Sequence, residues 1–360
     1  MNPLSSVAAF GKGRTVVEPA SPPIRHLQLD VAGISVHCLA AGDRGRPVMI
    51  LHAGGVDAAG LSFRRTIPAL AKDHRIFAPD WPGFGESDPM PSDWRVEECI
   101  QFIQEFFKVL DLDRVSLIGL SMGGAFAIGF TLRAPTCVER LVLVDSVGLG
   151  GAIPGGLPSY LALHLPFLDE LRWAVVRRNR AVVRRILCAP LVSHPELAIE
   201  EALDEIMLTV RKPGAGAAFR QLRRSEYRWR GFRTNYLDRL CEIRVPTLIV
   251  QGADDPLVPV TSAERAHRRL RHSQLEIIPR CGHLPPIERP EVFNKLVCRF
   301  MESSRQPIRD KVRRVFRRRF PVAARPAGLF FWRRTPADSS RGKSNGKCLK
   351  LEPTSLERLI

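Results

Sequence analysis

Residues Arg114–Arg133, RVSLIGLSMGGAFAIGFTLR, decide how the rest of the chain is read. Val115-Ser116-Leu117-Ile118 has the length and composition of a short buried strand. Gly119-Leu120-Ser121-Met122-Gly123 follows, a G-x-S-x-G sequence. Small and apolar residues then run as a helix to Arg133, and Pro135 ends it. Strand, tight turn and helix in that order are what a nucleophile elbow needs. The turn forces Ser121 into a strained backbone conformation, so its neighbours must be tiny, and Gly119, Gly123 and Gly124 meet that need. The hydroxyl then projects at the top of the sheet. The N–H of Met122 opens the helix and is aimed at a developing oxyanion. Taken alone, the pentapeptide also fits a glycine-rich turn with an idle serine.

Upstream of the elbow, His26–Asp30 and Ile34–Ala40 read as a hairpin joined at Gly33. Pro47–Leu51 is a buried strand, followed at once by His52-Ala53-Gly54-Gly55. A helix over Ser62–Lys72, a strand over Arg75–Pro79, the turn-rich loop Asp80–Gly85 and a helix over Trp94–Leu110 come next. Downstream, Arg140–Val144 is a strand ending at Asp145. From Ser146 to Asp238 the strand–helix rhythm stops, and loops alternate with helices over Leu171–Leu187 and Leu197–Val210. The rhythm returns with strands at Pro246–Gln251 and Leu275–Ile278 and helices at Ser262–Leu270 and Pro290–Met301. The expected class is α/β: a mostly parallel eight-stranded sheet flanked by helices, with an inserted helical cap. The implied divisions are an arm at 1–23, a core at 24–145 and 241–302, a cap at 146–240 and a tail at 303–360.

Serine is a weak nucleophile at neutral pH and needs a base. The strongest candidate is His283, in a glycine- and proline-shaped loop directly after the last strand. The base needs an orienting carboxylate, and Asp254 and Asp255 both follow the Pro246–Gln251 strand. Pro256 biases Asp255 toward extended backbone, whereas Asp254 suits a turn. Asp145, at the end of an earlier strand, is a third candidate, with a strand-end hydrogen-bonding role as its alternative.

Over about residues 24–302 the sequence resembles the α/β-hydrolase superfamily. The resemblance rests on HAGG at 52–55, DWPGFGES at 80–87, GLSMGG at 119–124, GADDPLVP at 252–259 and CGHLPPIERPEVF at 281–293. It implies the α/β-hydrolase fold, a Ser–His–acid triad in the order Ser121, Asp255, His283, and no cofactor. The family pattern puts the acid three residues after the glycine, which selects Asp255. It also implies an oxyanion hole from the N–H groups of Met122 and Gly54, and a propping role for His52. SMGGA and VDSVGLGG, at 121–125 and 144–151, resemble carbon–carbon-bond hydrolases of meta-cleavage products. GHLPPIERP, at 282–290, looks more like general carboxylesterases.

The expected activity is therefore acyl-enzyme hydrolysis of a small or medium hydrophobic ester. Carbon–carbon cleavage of a meta-cleavage product is the alternative, with Arg177, Arg178, Arg184 and Arg185 available as a carboxylate clamp or as a solvated helix face. A non-catalytic binding protein on the same fold is the alternative of another class, although such proteins usually lose a triad member.

Composition sets outer bounds. The 360 residues are 45% hydrophobic and 25% charged, ordinary globular material. Nine histidines without H-x-x-x-H spacing argue against a zinc site. Eight scattered cysteines and no secretory h-region point to a reduced, cytoplasmic setting. Residues 303–360 hold 16 Lys/Arg against 4 Asp/Glu, so most of the net +17 belongs to the tail. Within 307–334, Ile308, Val312, Val315, Phe316 and Phe320 form an apolar stripe among arginines, and Phe330, Phe331 and Trp332 follow. That pattern suits peripheral contact with an anionic membrane, or a tail helix packed on the body. It suits nucleic acid less well, which gives the stripe no purpose. Oligomeric state leaves no mark in the sequence.

Overall fold

The computed structural model describes residues 22–150, 161, 165, 173–176, 179–185, 198–229 and 231–302. The basic tail with its 307–334 stripe, nearly all of the 1–23 arm, and Arg177 and Arg178 lie outside the described residues. Among the described residues, no helix is long and apolar enough to cross a membrane.

The strands are β1 (Arg25–Val31), β2 (Ile34–Ala41), β3 (Pro47–Leu51), β4 (Arg75–Pro79), β5 (Val115–Leu120), β6 (Val138–Val144), β7 (Tyr227–Arg228), β8 (Gly231–Phe232), β9 (Thr247–Gly252) and β10 (Ser273–Ile278). Eight of them form one sheet in the order β1-β2-β4-β3-β5-β6-β9-β10, and β7 and β8 form a separate hairpin. β2 runs antiparallel to both of its neighbours, and the remaining pairings of the eight-stranded sheet are parallel. β5 lies near the centre, paired with β3 and β6, and all six of its residues are buried.

Side chains alternate across the sheet, so each strand feeds two cores. Met49 and Leu51 pack with Phe126 and Trp81 beneath the helices Val96–Val109 and Met122–Arg133. Val48 and Ile50 pack on the other face with Phe293 and Val297 of the helix Pro290–Glu302. Helices on both faces are why the parallel strands read as nearly continuous apolar runs.

Three local expectations differ from the structure. The helix expected over Ser62–Lys72 is two short ones, Ala59–Ser62 and Thr66–Leu70. A continuous helix would press the Pro68 ring against the carbonyl of Arg64, and the break falls there. The helix expected over Leu171–Leu187 is interrupted: 173–176 are helical, and Asn179 caps a new start by accepting from the N–H groups of Ala181 and Val182. An unforeseen helix, Ala217–Glu226, follows Gly216 at φ +72°. Its strongly basic sequence resembles solvated loop, and its buried face is narrow, carried by Ala218 and Leu222.

Candidate active site

Ser121 sits between β5 and the helix Met122–Arg133 with φ +51°, a region that side chains rarely adopt. The conformation is held on both sides. Its N–H donates to the Val144 carbonyl at 2.8 Å, and its carbonyl accepts from Gly124 at 3.0 Å and Val147 at 3.2 Å. The glycines are there because backbones meet. A Cβ on Gly123 would lie 2.2 Å from the Leu51 carbonyl oxygen, and one on Gly119 would lie 2.4 Å from that of Gly123. Gly123→Ala must push β3 and the elbow apart, at a cost of about 1–3 kcal/mol. A lowered melting temperature together with slower labelling of Ser121 by a fluorophosphonate is the expected result. Unchanged values of both would show that the close approach is dispensable.

The structure brings Ser121, His283 and Asp255 into one hydrogen-bonded line. His283 Nε2 lies 2.9 Å from Ser121 Oγ, and His283 Nδ1 lies 2.8 Å from Asp255 Oδ2. An ionised carboxylate only accepts, so Nδ1 carries the proton. Nε2 is then free to accept from the serine hydroxyl. The residues are 9%, 3% and 9% exposed for Ser121, His283 and Asp255, so the line is largely dry. Asp255 is fixed from its other side: Oδ1 accepts from the N–H groups of Leu257 at 2.7 Å and Val258 at 3.1 Å. Burial pushes its carboxyl upward, but the hydrogen bond and charge of His283, with those two N–H groups, outweigh burial. The net effect holds Asp255 below the usual carboxylate range. Asp254 is exposed, and its N–H donates to the Cys281 carbonyl.

The histidine loop has its own anchors. A Cβ on Gly252 would fall 1.9 Å from the Gly282 carbonyl oxygen, so β9 and the loop touch backbone to backbone. The Gly282 N–H donates to the Glu288 carboxylate at 3.0 Å. Glu288 was not singled out from the sequence. Its signal in the sequence is an acid six residues beyond Gly282, within reach of the N–H groups of the histidine loop.

Met122 is the first residue of its helix, where an N–H has no carbonyl four residues back to bond. Gly54 lies in the loop after β3, against the ring of Phe219, which a Cβ there would strike. Two side chains shape this loop. His52 donates from Nδ1 to the Ala53 carbonyl and accepts at Nε2 from the Trp81 N–H. Asp57, which also escaped the sequence reading, accepts from the N–H groups of Ala53 and Ala58 and from the Ser62 hydroxyl. Asp80 accepts from His37 and from the N–H groups of Ala59 and Glu86, so the 80–87 loop is architecture.

A cavity of about 120 Å³ reaches Ser121, Met122 and His283. Its walls include Phe126, Val147, Phe219 and Leu222, with Arg223 and Glu226 as the charged members. A larger cleft, about 1720 Å³, lies at the amino ends of the strands among Arg46, Arg114 and Arg140, and neither Ser121 nor His283 lines it. In a parallel sheet the chemistry sits at the carboxyl ends, so the smaller cavity is the candidate site. Arg184 and Arg185 are exposed on the surface. The guanidinium at the cavity is instead Arg223, which lies over the rings of Phe219 and Tyr227 while its buried Nε has no hydrogen-bond partner among the described residues. Among the described residues, no group of three or more His, Cys, Asp or Glu is placed to hold a metal ion.

Residues 48–296 match the alpha/beta hydrolase family. A 2-hydroxy-6-oxo-2,4-heptadienoate hydrolase of Pseudomonas putida is 29% identical over 261 residues, 71% of this chain and 89% of the relative. A meta-cleavage product hydrolase from Pseudomonas fluorescens superposes with a TM-score of 0.66 at 26% identity, over 78% of this chain and 98% of that one. A carboxylesterase from Bacillus subtilis superposes at 0.63 with 23% identity, over 80% and 94%, a likeness of fold.

Proposed function

The chain belongs to the alpha/beta hydrolase family, and from that footing we propose that it is a serine hydrolase acting through Ser121, His283 and Asp255. The observation that carries this reading is the continuous hydrogen-bonded line from Asp255 Oδ2 through the imidazole to Ser121 Oγ. His283 takes the serine proton as Oγ bonds to a substrate carbonyl carbon. Asp255 holds the tautomer and stabilises the imidazolium. The N–H groups of Met122 and Gly54 receive the oxyanion. The bond from carbonyl carbon to leaving group then breaks, and the leaving group departs with the proton from His283. Water repeats the sequence and frees the acid. The helical stretch within 146–240 acts as a cap: Phe219, Leu222 and Arg223 cover the cavity and favour a small substrate with an apolar part.

A carboxylic ester is the simplest substrate for this machinery. Carbon–carbon hydrolysis of a meta-cleavage product is a second reading, supported by Arg223. Its guanidinium, in the wall of the cavity, suits an anionic group on the substrate. The relatives named for a heptadienoate and for a meta-cleavage product support the same reading. Two substrates separate the readings: p-nitrophenyl butyrate and 2-hydroxy-6-oxo-2,4-heptadienoate. Turnover of neither, with no fluorophosphonate labelling, refutes the proposal. Arg223→Met should raise KM for the dienoate about 10–100-fold, the worth of one charge-assisted hydrogen bond, and leave KM for the neutral ester nearly unchanged. Equal effects on both substrates would remove the anion-binding role.

A further inference from the structure

Asp145 ends β6, one strand away from the Asp255 loop, and is 0% exposed. Its backbone stands at φ +40°, pinned by its N–H donating to the Val250 carbonyl at 3.0 Å. Oδ1 accepts from the Gly252 N–H at 2.8 Å. Oδ2 is buried and meets no donor among the described residues. The group that this carboxyl reaches is the carboxyl of Asp255, itself an acceptor already serving His283, Gln251, Leu257 and Val258. Two carboxylates in contact in a dry site repel, and neither can donate to the other unless one carries a proton.

The surroundings decide which of the two does. Asp255 has His283, two backbone N–H groups and the side-chain amide of Gln251, whose Nε2 donates to Oδ2 at 3.2 Å, to hold a negative charge. Asp145 has one backbone N–H. The other titratable groups about it are Glu288, which adds negative charge, and the buried thiol of Cys281, which burial pushes upward and keeps neutral. Burial first, and then the charge of Asp255, push the Asp145 carboxyl well above the usual carboxylate range.

We propose that Asp145 is a positioning residue: a neutral carboxylic acid that donates its O–H to the Asp255 carboxylate and so sets how tightly Asp255 grips the His283 ring. The proposal rests on the serine-hydrolase reading for its effect on rate. The proton stays on Asp145 throughout, and Asp255 keeps its charge. The arrangement explains why a buried Oδ2 that meets no donor is tolerated in the core: protonated, it is itself the donor. Without that donor, Asp255 puts more of its charge on the imidazolium, and the base becomes available only at higher pH.

The test compares Asp145→Asn with Asp145→Ala. The amide can still accept from Gly252 and donate to Asp255, whereas the methyl group can do neither. The readout is the rate of fluorophosphonate labelling of the full chain against pH. Asp145→Ala should label about 10–100-fold more slowly, the worth of one hydrogen bond to a charged group, with its acidic midpoint moved upward. Asp145→Asn should rescue both the rate and the midpoint to near wild type. An Asn variant as slow as the Ala variant, or a midpoint moved downward as expected when a negative charge is lost, overturns the proposal. Infrared spectra supply the second arm and require no variant to be active. Wild-type protein carrying ¹³C-labelled aspartate should show a protonated-carboxyl band at neutral pH that Asp145→Asn lacks, and absence of that band in the wild type also overturns it. Failure of the wild type to label at all refutes the serine-hydrolase reading and the positioning role together, while the infrared band still reports whether Asp145 is neutral.

Discussion

Ser121→Ala is expected to lower kcat by about 10⁴–10⁶-fold, equivalent to roughly 5.5–8 kcal/mol of barrier. The fold should be untouched, because alanine keeps the Cβ and the backbone bonds that hold position 121 do not use the hydroxyl. The positive φ is as costly for serine as for alanine, so the substitution adds no strain. What is lost is the atom that attacks, together with the acceptor-donor pair at 2.9 Å that aims it. His283→Ala should cost about as much, and the double variant little more, since groups that act as one unit are not additive. Steady-state turnover, fluorophosphonate labelling and a melting curve read the three claims. A Ser121→Ala variant with near-full turnover would mean that the attacking group lies elsewhere.

The parts of the site legible in the sequence are those built on local geometry. Gly119, Ser121 and Gly123 had to be close in sequence because the elbow is one turn, and contact of Gly123 with the β3 backbone and of Gly119 with the backbone of Gly123 and Gly124 leaves no room for larger residues at the two glycines. His283 and Asp255 were readable because each follows a strand whose neighbours place its carboxyl end at the same edge of the sheet. Arg223 was not readable. Its helix carries few apolar residues, and its place in the wall of the cavity with Ser121 depends on how residues far along the chain fold back on the core. Glu288 and Asp57 escaped for a related reason: each accepts backbone N–H groups of a loop, and acidic residues in loops are ordinarily solvated. Asp145 reads from the sequence as a rival acid or a strand-end hydrogen-bonding residue, because its relation to Asp255 arises from the pairing of β6 with β9, which sequence order does not reveal.

Asp255→Asn should cost up to about 10⁴-fold in kcat, as when the acid of a comparable triad is made an amide, whereas Asp254→Asn should change it only slightly. The asymmetry follows from what each side chain touches. In the variant, position 255 still faces the N–H groups of Leu257 and Val258 at 2.7 Å and 3.1 Å, and these demand an acceptor. The amide oxygen must turn to them, which aims the amide N–H at His283 Nδ1. Two donors cannot share that 2.8 Å contact, so the ring gives up its Nδ1 proton and carries one on Nε2 instead. The imidazole then presents a donor to Ser121 and cannot take its proton. Asp254 is exposed and joins the site only through its backbone N–H, which an amide side chain leaves in place. Asp145 supplies the internal control: it is buried beside Asp255 without touching His283 Nδ1, so its Asn variant should keep the productive tautomer. Measured kcat and labelling rates for the three Asn variants therefore carry distinct signatures. A large loss at Asp145 with little at Asp255 would move the acid from the end of β9 to the end of β6, and with it the account of how His283 is held.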